Sequence, residues 1–435
     1  MKSFNKTLLA VAVALASSQT FASGFQLNSQ SATGMGRAFA GDAVIADNAS
    51  VLSRNPAAMA LFDKDAISFG LTYADITVDV KDVNFAGGAY DLGSIDDAGS
   101  SKVIPNIFYI HPIDDKFAVG FAAFSNFGTG TDASSLSKNL PAGSAAPYDL
   151  LGETEVTTVN FNASVSYRIN DMFSIGAGLD AVYGEGRLTR NMGTTPLVDV
   201  DADGWAFGGI VGATIELDKD NRFGISYRFS PTVNVEGDIN TISAANLPVL
   251  GPVQVASSFD SLDVPLADIF QVAGFHQITP KFALHYTAQL TQWGNFDQIT
   301  AKDGVATIIP GQAGAGTQLQ VGDVALKEYQ WKDSWLFSVG GTYTINEQFT
   351  VRAGYMHDQG VVDEISSISF PDSDRNWYTA GMSYHINPQN TVDFGIAYIK
   401  GEEVHLIENS ALTGAVNAVT ESSGMYYSVQ YSYQF

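Results

Sequence analysis

From Met425 to Phe435 the chain reads MYYSVQYSYQF. Met425, Tyr427, Val429, Tyr431, Tyr433 and Phe435 place every odd position on one apolar or aromatic face, while Ser428, Gln430, Ser432 and Gln434 lie opposite. A strand of this kind suits a wall with lipid on one side and a polar interior on the other. Such a wall is a transmembrane β-barrel of an outer membrane, with membrane lipid as one partner and Phe435 reading as a signal for the barrel assembly machinery. Function is thereby limited to moving, binding or processing something at that membrane.

The same period of two recurs along the chain. Ile67, Phe69, Leu71 and Tyr73 share one face, and Val159, Phe161, Ala163, Val165, Tyr167 and Ile169 alternate with Asn160, Asn162, Ser164, Ser166 and Arg168. Comparable runs cover Val103 to Ile113, Phe117 to Thr131, Phe173 to Tyr183, Trp205 to Leu217, Phe223 to Phe229, Leu266 to Ile278, Phe282 to Leu290, Trp335 to Ile345, Phe349 to Tyr355, Trp377 to Ile386 and Val392 to Glu403. With the closing strand they predict fourteen, and an even count suits a bacterial barrel. Short connections with turn-forming residues, such as Asn170-Asp171, Thr279-Pro280, Asn346-Glu347 and Asn387 to Asn390, alternate with long polar or Gly-rich ones, the largest around Gly128 to Glu153, Gly237 to Asp263 and Asp297 to Asp333. This places the short turns and both chain ends on the periplasmic side.

Composition agrees. Lys2 and Lys6, the apolar run Leu8 to Ala16 and Thr20-Phe21-Ala22 read as an export signal over residues 1–22, with the mature protein expected from Ser23. No cysteine is present, so no disulfide framework stabilises the exported chain. A formal charge of −24 disfavours nucleic acid as a partner. The barrel is expected over residues 65–435. Before it, Ser23 to Lys64 is rich in Gly, Ala, Ser and Asn without sustained alternation, and reads as a compact hatch that keeps a wide lumen from leaking.

The hatch also carries motifs. Ser23-Gly24-Phe25-Gln26-Leu27-Asn28, Gly34-Met35-Gly36-Arg37-Ala38, Ile45-Ala46-Asp47 and Ser53-Arg54-Asn55-Pro56-Ala57, with Pro105-Asn106, Phe370-Pro371-Asp372-Ser373-Asp374-Arg375 and the closing aromatic strand, resemble the FadL family of outer-membrane long-chain fatty-acid transporters. The resemblance covers essentially the whole mature chain. It implies an all-β, fourteen-stranded, monomeric antiparallel barrel with an N-terminal hatch in the lumen, carrying hydrophobic molecules by diffusion, without a cofactor or catalysis. Ligand would be captured at the extracellular loops, passed to a lumenal pocket and released sideways through a gap at the third strand. A long-chain fatty acid is the implied cargo, with a neutral or aromatic hydrocarbon as the alternative.

Several residues acquire expected roles. Along the third strand Phe117, Val119, Phe121 and Ala123 keep register, but Phe124 and Phe127 stand three apart and Gly128 and Gly130 follow, a bulge signature. An ordinary rim bulge would look the same; the resemblance implies a lateral opening at Asn126, Phe127 and Gly128. Arg190 and Lys332 align with the family's head-group residues, although rim solvation or pairing with Asp333 would also account for them. Phe25 resembles a residue lining the same pocket from the hatch, and Asn55, Pro56 and Ala57 are expected to hold the hatch in place. The connection from Arg190 to Gly204 is short for the family, while Leu247-Pro248-Val249-Leu250 is apolar enough for a capture groove.

Other chemistry finds little support. The six His are scattered without metal-ligand spacing, and no Gly-x-Ser-x-Gly elbow or phosphate-binding loop occurs, so an outer-membrane hydrolase is the weakest alternative. Asp199-Val200-Asp201-Ala202-Asp203-Gly204 begins like a calcium loop, yet its twelfth position is Ile210 within an expected strand.

Overall fold

A sheet immersed in hydrocarbon pays for every unpaired backbone edge, and this one closes last strand on first into a ring. The computed structural model describes residues 24–138, 140, 144–363 and 365–435. The expected export signal lies outside the described residues.

Fourteen antiparallel wall strands follow in chain order. They are β1 (Ala66–Phe85), β2 (Lys102–Pro112), β3 (Phe117–Phe124, resuming as Gly128–Asp132), β4 (Gly152–Arg168), β5 (Phe173–Met192), β6 (Thr195–Asp218) and β7 (Asn221–Phe229, resuming as Thr232–Leu247). The ring continues with β8 (Ser261–Pro265, resuming as Asp268–Thr279), β9 (Phe282–Gln292, resuming as Gln298–Ile308), β10 (Gln318–Glu328, resuming as Ser334–Thr344), β11 (Phe349–Asp358), β12 (Arg375–Asn387), β13 (Asn390–Gly401) and β14 (Gly414–Gln434). β14 closes on β1 from Ala66↔Gln434 to Phe85↔Val416. The alternation of the opening stretch is realised there: Tyr427 and Tyr431 are 47% and 42% exposed toward lipid, whereas Ser428 and Gln430 are 5% and 1% exposed toward the lumen.

The short turns share one device. Asp114, Asn170, Asn346 and Asn387 each use a side-chain oxygen to accept the backbone N–H groups two and three residues on, and Thr279 does the same with its hydroxyl. These two bonds hold the Asp114 carboxyl below the ordinary carboxylate range.

At the opposite rim the structure corrects the loop reading. Much of the stretches 237–263 and 297–333, expected as loops, is strand that raises the barrel above the membrane, and Arg190 to Gly204 is a hairpin turning at Gly193. β5, β6 and β14 are 20, 24 and 21 residues long, against roughly 9–11 needed to cross. Above the membrane neither face meets lipid, so the alternation that reveals a strand fades.

Residues 24–61 lie inside the ring as short turns: Ala32–Met35, and the 3₁₀ segments Ala49–Ser53 and Pro56–Leu61. Nearly all are buried. The wall makes room with glycine. A Cβ on Gly176 of β5 would stand 2.4 Å from the Ala57 nitrogen, and one on Gly212 of β6 would stand 2.1 Å from Asn55 Oδ1. Asn55 binds the turn to the wall, donating to Ala43 O at 2.9 Å and Ala213 O at 3.0 Å while accepting from Ala57 N at 3.0 Å. Pro56 supplies a ring with no N–H to satisfy at the first position of its segment. From the far side Gln430 of β14 accepts from Ala32 N at 3.1 Å and Ser31 Oγ at 3.2 Å. Arg37, buried, pairs with Asp42 at 2.9 Å and Asp47 at 2.7 Å and folds the hatch on itself.

Gly176→Ala should therefore push the Asn55–Ala57 turn off the wall while the ring still closes. Overpacking of this kind costs about 1–3 kcal/mol. We expect a lower denaturant midpoint and faster proteolysis of residues 24–61, with the heat-modifiable gel mobility of a folded barrel retained.

Candidate functional site

The third strand breaks where its sequence breaks. β3 pairs with β4 from Phe117↔Tyr167 to Phe124↔Asn160 and resumes at Gly128↔Thr157, so three residues of β3 face two of β4. On its other side, pairing with β2 stops at Ile107↔Ala123, leaving Lys102 to Asn106 without a β3 partner. Ser125, Asn126 and Phe127 are buried and turned to the hatch. There Leu27 N donates to Asn126 O at 2.6 Å and Gly128 N donates to Phe25 O at 2.8 Å, with Gln26 bridged to Phe127 between them. Thr158 of β4 holds the bulge, donating through Oγ1 to Phe127 O at 2.7 Å.

Phe25 is wholly buried at the centre of an aromatic cage. Its ring lies 4.6 Å from Trp293, 5.4 Å from Phe296, 5.8 Å from Trp331, 5.9 Å from Phe127 and 6.0 Å from Phe370, with Tyr329 5.1 Å from Phe296. Two further wall breaks make this possible. β9 is interrupted over residues 293–297 and β10 over residues 329–333, and the two excursions enter the lumen together, Tyr329 N donating to Asp297 O at 2.7 Å.

Beyond the cage, toward the long-loop rim, lies an apolar cavity. Its walls include Val156 and Thr158 of β4, Leu188 of β5, Val200 of β6, Val233 and Val235 of β7, and its end is closed by Tyr329 and Phe370. The space open to the centre of a water molecule is about 60 Å³, so it is a narrow crevice that must widen to take a ligand of ordinary size.

Arg190 stands one hydrogen bond behind that wall. It is buried on β5, donating to Thr154 Oγ1 at 2.8 Å, Ser369 Oγ at 2.7 Å, and the Glu153 and Thr189 carbonyls at 2.8 Å each. Among the described residues no carboxylate approaches it within 4.0 Å, so a desolvated cation is met only by neutral dipoles. The structure does not bring Lys332 to it. Tyr329 and Trp331 are buried along the β10 excursion, whereas Lys332 is half exposed and 3.8 Å from Asp363 rather than paired with Asp333. The cations at the cavity wall are instead Arg187 and Lys327, the latter paired with the buried Glu408.

The cage residues Trp293, Phe296, Tyr329 and Trp331 escaped the sequence reading. A signal existed: Trp293 falls in the inward register of His285, Thr287, Gln289 and Thr291, where the lumen is otherwise polar. Asp199 to Gly204 lies extended within β6 and cannot wrap an ion, and no metal-holding cluster occurs among the described residues.

A closed barrel with an internal hatch, an apolar lumenal cavity and a broken third strand defines an outer-membrane β-barrel that occludes its own lumen. The chain belongs to the outer membrane protein transport protein family (OMPP1/FadL/TodX), whose profile matches residues 13–435. The "Long-chain fatty acid transport protein" of Escherichia coli O6:H1 (strain CFT073) is 31% identical, with 99% of each chain covered. Among solved structures, a Pseudomonas aeruginosa FadL homologue superposes with a TM-score of 0.74 at 22% identity, covering 95% of this chain and all of that one. The Pseudomonas putida toluene transporter TodX does so at 0.62 and 18%, covering 89% and 94%. At these identities the structural likeness concerns the fold.

Phe25→Ala should leave a ring-sized hole walled by Trp293, Phe296 and Trp331. Dry apolar holes of this kind take up benzene. The purified variant is expected to bind benzene at least about tenfold more tightly than wild type, a gain of ~1.4 kcal/mol, read as a change in tryptophan fluorescence.

Proposed function

We propose that the protein is a passive transporter that takes up long-chain fatty acids across the outer membrane. The observation that carries the reading is the continuity of apolar cavity, aromatic cage and broken strand, all sharing Phe25 or its neighbours. A lipopolysaccharide leaflet resists apolar solutes and a watery pore offers them nothing, so an apolar route inside a polar-faced barrel answers the problem. Capture begins at the long-loop rim, where Leu247-Pro248-Val249-Leu250 forms a hairpin tip with Val249 93% exposed. The acyl chain then widens the Val156–Val233 crevice, and its carboxylate supplies the anion that Arg190 lacks. Displacement of Phe25 frees Phe127 and clears the β2–β3 gap at Asn126 to Gly128, from which the cargo leaves sideways into the membrane. The closed ring needs no partner strand, in keeping with a monomer, and Asn55, Pro56 and Ala57 keep the rest of the hatch seated meanwhile.

Labelled oleate uptake by cells lacking their own transporter tests the cargo. Wild type should restore it, Arg190→Ala should reduce it at least about tenfold, equivalent to ~1.4 kcal/mol of lost binding or passage, and Lys332→Ala should leave it near wild type. Unchanged uptake in Arg190→Ala removes the head-group role. The aromatic cage favours one second reading, a neutral aromatic hydrocarbon as cargo, and toluene uptake without oleate uptake would select it.

The exit is tested by a lock. Gln26 and Phe127 form a non-hydrogen-bonded antiparallel pair, the spacing at which a disulfide fits, and the chain has no other cysteine. Oxidised Gln26→Cys/Phe127→Cys protein should lose uptake and regain it on reduction. Equal uptake in both states would remove lateral exit at this position.

A further inference from the structure

A second buried arginine lies in the hatch, at the base of the broken strand. Arg54 is 8% exposed, and among the described residues no carboxylate comes within 4.0 Å of it; Asp42 of the same hatch is committed to Arg37 at 2.9 Å. Its guanidinium donates only to neutral groups: Gln30 Oε1 at 2.7 Å, Asn28 O at 3.1 Å and Oδ1 at 3.2 Å, and Gln289 Oε1 at 3.4 Å. Its Nε–H has no partner.

The amides around it carry the same imbalance. An arginine can only donate, so every amide oxygen facing it is assigned without ambiguity, and the orientations propagate outward. Gln30, accepting from Arg54, must present its nitrogen to Ser125 O at 2.7 Å and Asn126 Oδ1 at 3.3 Å. Gln289, likewise accepting, presents its nitrogen to Gln26 Oε1 at 3.1 Å. The groups left over are then Asn28 Nδ2, Asn126 Nδ2 and Gln26 Nε2, each buried and without a partner. All are donors. A buried cation surrounded by surplus N–H groups is complementary to an anion with several lone pairs.

The position matters as much as the chemistry. Gln30 and Leu27 tie this network directly to Ser125 and Asn126 of the bulge, whereas Arg190 stands at the cavity on the other side of the cage. Opening of the backbone bonds that join Phe25 and Leu27 to Gly128 and Asn126 would expose both the β2–β3 gap and the Arg54 donors in one movement.

We propose that Arg54, with Asn28, Asn126 and Gln26, forms a second carboxylate-binding station at the lateral gap, receiving the head group of an acyl cargo after it leaves Arg190. This rests on the transport reading above. The station keeps the carboxylate hydrogen-bonded while the acyl tail crosses the gap into lipid, so that the charge is never bare within the wall.

The test is binding of oleate carrying ¹³C at its carboxyl to the purified, folded protein, followed by NMR and set beside uptake. Wild type should show two bound carboxyl resonances, one lost in Arg190→Ala and the other in Arg54→Gln. Uptake of oleate should fall at least about tenfold in Arg54→Gln while uptake of methyl oleate, the same chain without the charge, is unchanged. If Arg54→Gln does not fold, Arg54→Lys keeps the charge without the Nε–H and should shift and weaken the same resonance. A single resonance, two that survive Arg54→Gln, or two left unshifted and undiminished by Arg54→Lys, overturns the proposal, as does equal loss of oleate and methyl oleate uptake. Two resonances in a protein that imports no oleate would leave the station standing and sink the transport reading instead.

Discussion

Closure of the sheet is the constraint on which everything else rests. Each backbone N–H and C=O left open to hydrocarbon would cost several kcal/mol, so the ladder from Ala66↔Gln434 to Phe85↔Val416 is the condition for the protein to exist in a membrane. Once the ring is closed, lipid takes the aromatic row of β14 and the lumen takes its Ser and Gln row. The inner row is more than a default, because Gln430 uses it to bind the hatch at Ser31 and Ala32.

A filled lumen then creates a packing problem that the wall solves with glycine. Backbone can approach backbone only where no Cβ intervenes, and Gly176, Gly212 and Gly381 sit where Ala57, Asn55 and Gly36 press on the wall. Polar closure accompanies it: Arg37 is neutralised by Asp42 and Asp47, and Arg228 of β7 by Asp180 of β5 while it donates to Ser53 O at 2.8 Å. Against that background of paired arginines, Arg190 and Arg54 stand apart. Both are buried and both are met by neutral acceptors alone.

The strength of the sequence signal followed the strength of the environmental contrast. Within the membrane, lipid outside and polar lumen inside impose a sharp alternation, and the fourteen strands, their short turns and the break at Asn126 to Gly128 were legible from it. Above the membrane the contrast vanishes, and the strands Thr232–Leu247, Gly251–Ser258, Gln298–Ile308 and Gln318–Glu328 were hidden in what reads as loop. For the candidate site, Phe25, Arg190 and Lys332 could be pointed to through motifs, but which of them share one enclosed space could not, since one residue of phase in an irregular segment decides where a side chain turns.

The sequence by itself determined the class of molecule and the number of wall strands, because these follow from local periodicity and from contiguous motifs. Tertiary structure alone decided that Trp293, Phe296, Tyr329 and Trp331, drawn from two separate wall breaks, enclose Phe25, and that Arg54 lies beside the gap while Lys332 meets Asp363. Those placements depend on which distant segments the closed ring brings together, and chain-local patterning carries no record of that.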